Sequence, residues 1–185
     1  MIITLDKAKQ LLGISDTSKD FEIEEKLKGL EITVRNLTNN KFLDIRVRSH
    51  RKLVFGSDNK TITGDNFLKL GFRPGDSIDI DDCLLNKGIF TVEAVTDSSI
   101  TVNEDILDEE NISLITKIVY PYDIVQGVIK LINYDFKMSD KIGVKQESIS
   151  RYSVTYYDVN STESIEGYPA TLMKFLNKYK KLRWS

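Results

Sequence analysis

The densest run of carboxylates in the chain is DSIDIDD, Asp76 to Asp82, and it is the first place to look for chemistry. A calcium loop needs oxygen ligands at alternate positions and a glycine for its sharp turn, and the glycine is missing here. Strand alternation instead sends Asp79 and Asp81 to the face opposite Ile78 and Ile80, which predicts a solvated strand face and no metal site. His50 is the single histidine, so any site that needs two is excluded. It stands in a basic stretch, SHRK, with no carboxylate beside it in sequence, and reads as a surface residue. Cys83 is likewise alone, which rules out an internal disulfide framework and a cysteine-based zinc site. No histidine stands in a recognisable relation to it, so nucleophilic catalysis has nothing to rest on. There is no G-x-S-x-G, no P-loop and no G-x-G-x-x-G. The expectation is a structural or binding protein with no catalytic residues, no cofactor and no metal, not an enzyme.

The elements around these residues occupy 185 positions, 41% hydrophobic and 29% charged, an ordinary globular balance sufficient for one domain or a core with one insertion. No apolar run approaches the ~18 residues of a membrane span, and MIITLDKAK does not read as a signal peptide, so no membrane association is expected. The formal net charge is only −2, but it is segregated. Residues 43–117 hold fourteen acids and nine bases, and from Asp76 to Glu110 eleven acids meet the single base Lys87. Residues 168–185 hold five bases and no acid. Faces of opposite sign suit association with partners or with further copies of the chain. The acidic block would repel a phosphate backbone.

Helix signals open the chain. Thr4 is placed to cap Leu5 to Leu12, Gly13 supplies the left-handed residue that ends it, and SDTSKD offers a second cap. Ile23, Leu27, Leu30, Val34 and Leu37 then form one apolar stripe on a helix of about five turns, closed by Asn39–Asn40. From Leu43 the period changes to alternation, with turns at Pro74–Gly75 and Asn86–Lys87–Gly88. Short strands at close spacing describe a small barrel or sandwich over residues 43–117. After Tyr120–Pro121, Ile124, Val128, Leu131 and Ile132 share one helix face, widened by Val125 and Ile129. SRYSVTYYDV alternates as a hairpin arm. Pro169 is placed at the first position of a last helix, with Leu172, Phe175, Leu176, Tyr179 and Leu182 on its apolar face. The fold class expected is α+β, a small helical bundle of about four helices plus a β-hairpin (residues 1–42 and 118–185), with an inserted β-barrel or sandwich module.

The end segments resemble the head–tail connector (adaptor) proteins of tailed double-stranded DNA phages. MIITLDKAKQLLGISDTSKD, running into a helix that ends TNNKF, is similar to that family's start. YPYDIVQGVIKLINYDF resembles its proline-preceded helix, ESISRYSVTYYD its YSVTY hairpin, and GYPATLMKFLNKYKKLRW its closing helix with a terminal Arg–Trp. Together these cover about 110 of the 185 residues, in the family's order. The departure is the β module of about 75 residues, where smaller members carry a short loop; it resembles small barrels of phage virion proteins.

The resemblance implies a virion protein of the neck, assembled from the host cytoplasm, as one subunit of a ring, dodecameric as the family's rings are. The portal would lie above it and the stopper or a tail-side neck protein below. Double-stranded DNA would pass through the bore without sequence-specific binding. The residues implied at the portal are Lys178, Tyr179, Lys181, Leu182, Arg183 and Trp184, and those between ring subunits Ile142, Val144, Tyr152, Val154 and Tyr156. Two other readings remain open: a different neck or tail-completion protein, and a barrel that binds a ligand or nucleic acid. Nucleic acid would call for aromatics interleaved with bases on the barrel strands. Instead Arg46, Arg48, Arg51 and Lys52 cluster on the first strand and the following turn, as a face for an acidic neighbour.

Overall fold

The structure, a computed structural model, describes residues 1–139, 146–149, 152–155 and 164–182. The chain is α+β and divides into two compact units: Met1–Ile2 with Lys41–Tyr120, and Ile3–Asn40 with Pro121–Ser185.

The first unit is a closed antiparallel barrel of six strands: β1 (Leu43–Gly56), β2 (Thr61–Thr63), β3 (Ser77–Asp81), β4 (Gly88–Val95), β5 (Ser99–Val102) and β6 (Glu109–Ile118). Their order around the barrel is β1-β2-β5-β4-β3-β6, and β6 closes onto β1 from Leu43↔Ile118 to Phe55↔Glu109. Closure leaves no unpaired sheet edge. The inward side chains alternate along each strand, as a two-residue period demands. Leu53 and Phe55 come from β1, Ile78 and Ile80 from β3, Val92 from β4, Ile100 and Val102 from β5 and Ile115 from β6, with Ile62 from β2. A one-turn helix, α3 (Phe67–Leu70), adds Phe67, whose ring meets Phe72 edge-on at 6.0 Å. Asn66 caps it by accepting the Lys69 N–H at 3.0 Å.

Two sequence details build this unit. The Pro74–Gly75 turn forms with Gly75 at φ 84° and the Asp76 N–H donating to Arg73 O at 3.1 Å, the left-handed second corner that a type II turn reserves for glycine. In β1 the register jumps between Asp44 and Arg48. The Asp44 carboxylate fills this bulge by accepting from Arg46 N, Nε and Nη2 at 2.9–3.1 Å. The unit ends where Val119 N–H donates to Phe42 O at 2.9 Å and the Phe42 and Tyr120 rings lie 5.0 Å apart.

β3 corrects the expectation of a solvated carboxylate face. Asp79 is 6% exposed and Ser77 likewise buried, so both faces of this strand are covered. Lys41 Nζ reaches Asp79 at 3.0 Å and Asp81 at 2.9 Å, while Ser77 Oγ donates to Met1 O at 3.0 Å. The cover comes from residues distant in sequence, which the alternation within β3 does not announce.

The second unit carries α1 (Leu5–Leu12), α2 (Asp20–Thr38) and α4 (Tyr122–Met138), packed on one another. Ile23, Leu27, Leu30 and Val34 of α2 are buried, as are Ile124, Val128, Ile129, Leu131 and Ile132 of α4, so both apolar stripes are core. α1 ends at left-handed Gly13 and α2 at left-handed Asn39. The helix starts differ from expectation. Thr4 precedes α1 without a side-chain cap bond, and α2 begins after Lys19, with Asp16 accepting the Ser18 N–H at 2.9 Å in a turn just upstream. Two short pairs follow, β7 (Gln146–Ile149) with β8 (Tyr152–Thr155), and β9 (Ser164–Ile165) with β10 (Tyr168–Pro169).

The closing segment is not the single α-helix expected. Pro169 stays extended at ψ 131°, α5 (Ala170–Met173) makes one turn, and a 3₁₀ helix runs from Lys174 to Tyr179. Three residues per turn bring Met173, Leu176 and Tyr179 into line. Met173 and Leu176 are accordingly buried, Leu172 is only half-buried, and Leu182 is 80% exposed beyond the helix end.

Candidate interaction surfaces

Two carboxylates of α4 organise the helical unit. Asp123, in the first turn, accepts the Tyr179 O–H at 2.5 Å and pairs with Lys178. The Lys178 bond, then that of Tyr179, holds its carboxyl below the usual range, and the same contact raises the Tyr179 hydroxyl. A carboxylate here also faces the positive end of the helix. Asp135, toward the other end, accepts from Tyr168 Oη at 2.9 Å and Lys26 Nζ at 3.0 Å. Burial first, and then Asp135, push the Tyr168 hydroxyl far up, so it is a fixed donor.

Past Tyr179 the chain turns extended and is fastened through its backbone. Asn40 Nδ2 donates to Tyr179 O at 3.3 Å, Lys181 N–H to Thr38 O at 2.8 Å, and Asn39 Nδ2 to Leu182 O at 3.2 Å. The paired asparagines that close α2 therefore also hold the tail. This leaves the side chains of Lys180, Lys181 and Leu182 exposed.

The residues expected at the portal thus fall into two groups. Lys178 and Tyr179 are tied to Asp123, whereas Lys181 and Leu182 present free side chains; Arg183 and Trp184 lie outside the described residues. Of the residues expected between subunits, Tyr152 and Val154 fall on β8, opposite Ile149 and Glu147 of β7. Ile142, Val144 and Tyr156 lie outside the described residues.

On the barrel, most of the basic group of β1 meets an acid of the same unit: Arg46 with Asp44 at 2.9 Å, Arg51 with Asp65 at 3.2 Å, and Lys52 with Glu110 at 2.5 Å. The exposed His50 Nε2 stands 3.8 Å from Asp82 Oδ2. Asp81 is held far below the carboxylate range by Lys87 and then by Lys41. Desolvation, reinforced by Glu109, pushes the Cys83 thiol up, the reverse of what a nucleophilic thiolate needs. Among the described residues no group of three or more His, Cys, Asp and Glu is placed to hold a metal ion, and no helix is long and apolar enough to cross a membrane.

Sequence reasoning missed Glu109 and Asn86. Glu109 accepts the N–H groups of Leu84, Leu85 and Asn86 at 2.7, 3.0 and 3.3 Å, and Asn86 Nδ2 at 3.0 Å. Burial opposes its charge, but these four donors outweigh burial and bring its pKa below the ordinary value. Asn86 also donates to Leu107 O at 2.9 Å and accepts the Leu107 N–H at 2.8 Å, so it brackets the facing loop. An NKG turn signals only a reversal of the chain, not a second loop bound across it.

No family model matches this chain, and no curated protein matches it at a significant level.

Proposed function

We propose that the chain is a structural subunit of the head–tail connector ring of a tailed double-stranded DNA phage. In this reading the second unit is the connector's helical bundle with its β-hairpin, and the barrel is an insertion between its second and third long helices. The observation that carries the reading is where the family-like segments fall. The opening residues through TNNKF, and the segments beginning YPYDIV, ESISRY and GYPATL, belong almost entirely to Ile3–Asn40 and Pro121–Ser185. The barrel accounts for nearly all that the resemblance does not cover.

The subunit performs no reaction in this reading; it binds neighbours. Copies of it form a closed ring, twelve in the family's pattern, by a heterologous contact that returns on itself. The exposed lysines and Leu182 at the tail contact the portal, the opposite side of the ring takes the stopper, and DNA passes without base recognition. The virion neck is its location. Electron microscopy of the neck, or of this chain added to its cognate portal, tests the reading. A closed ring of this chain on the portal's outer rim is the expected image. A single copy or an open arc overturns it.

A further inference from the structure

Three leucines on two bonded loops of the barrel point into solvent: Leu84 is 83% exposed, Leu85 58% and Leu107 57%. Exposed leucines on a slack loop are unremarkable, because the loop can fold them away. These loops have no such freedom. Glu109 holds three successive N–H groups of one loop, and Asn86, 3% exposed, holds the other through both its amide atoms. The leucines are therefore presented by backbone that is already ordered, and a partner would lose little further entropy in fixing them.

The rim of this surface is mainly acidic. Asp82, Asp108 and Glu109 form no salt bridge with a lysine or arginine among the described residues; Lys87, bound to Asp81 at 2.7 Å, lies within electrostatic reach of Asp82 and is the one base beside four acids. Such a rim repels phosphate backbones and anionic lipid headgroups alike. It favours an apolar surface carrying positive charge.

We propose that the Leu84–Leu85 and Leu107 loops form a docking surface for a partner-protein segment in which leucine-like side chains alternate with Lys or Arg. The leucines supply the apolar contact, and the carboxylates set the orientation and the encounter rate. This surface is independent of the connector reading, because it rests on the barrel alone.

The test uses the full chain with ¹³C-labelled leucine methyls and, as probe, an octapeptide of alternating Leu and Lys. The expected result is saturable movement of the Leu84, Leu85 and Leu107 methyl signals that weakens as salt rises. Binding should weaken about tenfold in D82N/D108N and again in L84S/L107S, with melting temperatures held, since all four side chains are exposed or replaced by isosteres. The side-chain amide oxygen that D108N introduces can still accept the Ser57 N–H, which Asp108 accepts at 2.7 Å. Three results overturn the proposal: no movement at these methyls, equal movement with an octapeptide of alternating Leu and Glu, or movement on concentrating the chain without peptide. The last would mean that a second copy covers the surface.

Discussion

Gly127 sits in the interior of α4, where replacing glycine by alanine ordinarily stabilises a helix by about 1 kcal/mol. Here the opposite sign is expected. A Cβ at this position would meet the end of the Phe175 ring, standing 2.5 Å from Cε1 and closer still to Cζ and Cε2. Carbon atoms prefer about 3.5–4.0 Å, so the ring must retreat by about 1 Å or leave its seat. Overpacking of this kind costs about 1–3 kcal/mol, and expelling a half-buried phenylalanine costs a similar amount. Setting the gain against the cost, G127A should destabilise the helical unit by about 1 kcal/mol. For a unit of this size, that lowers its melting temperature by about 4–8 °C.

Circular dichroism in the helical band, during thermal or urea unfolding, reads the effect on the helices. A second background isolates the cause. In F175A the obstacle is gone, so adding G127A should there raise stability by about 1 kcal/mol, a sign reversal with coupling of about 2 kcal/mol. If G127A stabilises the otherwise native chain, or shifts both backgrounds equally, the Phe175 ring does not rest on Gly127. The seating of the 3₁₀ helix that leads to the tail would then need another explanation.

Two further outcomes are expected. Asp81 has a folded-state pKa depressed below its ordinary 3.8, so its pairing stabilises above that pH and is lost as pH falls through the folded value; K87M should melt below the native chain near pH 7, and the gap should narrow as pH drops below about 4. A gap that stays constant down to about pH 2 would show that Lys87 acts by packing and not by charge. Deleting Leu182–Ser185 removes, among the described residues, an 80% exposed leucine and one carbonyl accepting from Asn39, so under the proposed portal contact the melting temperature should hardly change while portal binding is lost; a collapsed melt would put the tail in the core instead.

The helices were legible where one apolar stripe decides the matter. Ile23 to Val34 and Ile124 to Ile132 are buried as their spacing requires, and Gly13 and Asn39 end their helices through left-handed backbone. The strands were legible as strands, because Ile78 and Ile80, or Ile100 and Val102, alternate with polar neighbours. Their order around the barrel was not, since β2 lies beside β5 and β3 beside β6 through pairings remote in sequence. Asp79 was misread for the same reason. Its cover is Lys41, and a strand pattern reports only which faces differ, not what lies on each. The last helix failed in part on period: counting 3.6 residues per turn selects Leu176, which is buried, but also Leu172 and Leu182, whereas a 3₁₀ turn keeps Leu176 and brings in Met173. The candidate surfaces were the least legible. Lys178 and Tyr179 belong to a basic, aromatic tail in sequence, but Asp123, far earlier in the chain, ties them down.

Segregated charge in a sequence describes a surface only after local pairing is taken out. On β1, Arg46, Arg51 and Lys52 each meet an acid of the barrel, so this basic cluster is largely neutralised within its own unit. Lys178 is removed from the tail's charge in the same way. Among the charges that survive are Asp82, Asp108 and Glu109 beside exposed leucines on the barrel, and Lys174, Lys180 and Lys181, which meet no acid among the described residues, on the tail segment. Each remnant places charge beside an exposed leucine. Their signs are opposite, so one partner surface cannot satisfy both. We propose that the two serve separate contacts, with different neighbours or with further copies of the chain: salt should weaken both, while lysine-to-glutamate changes on the tail and aspartate-to-lysine changes on the barrel should each abolish only one.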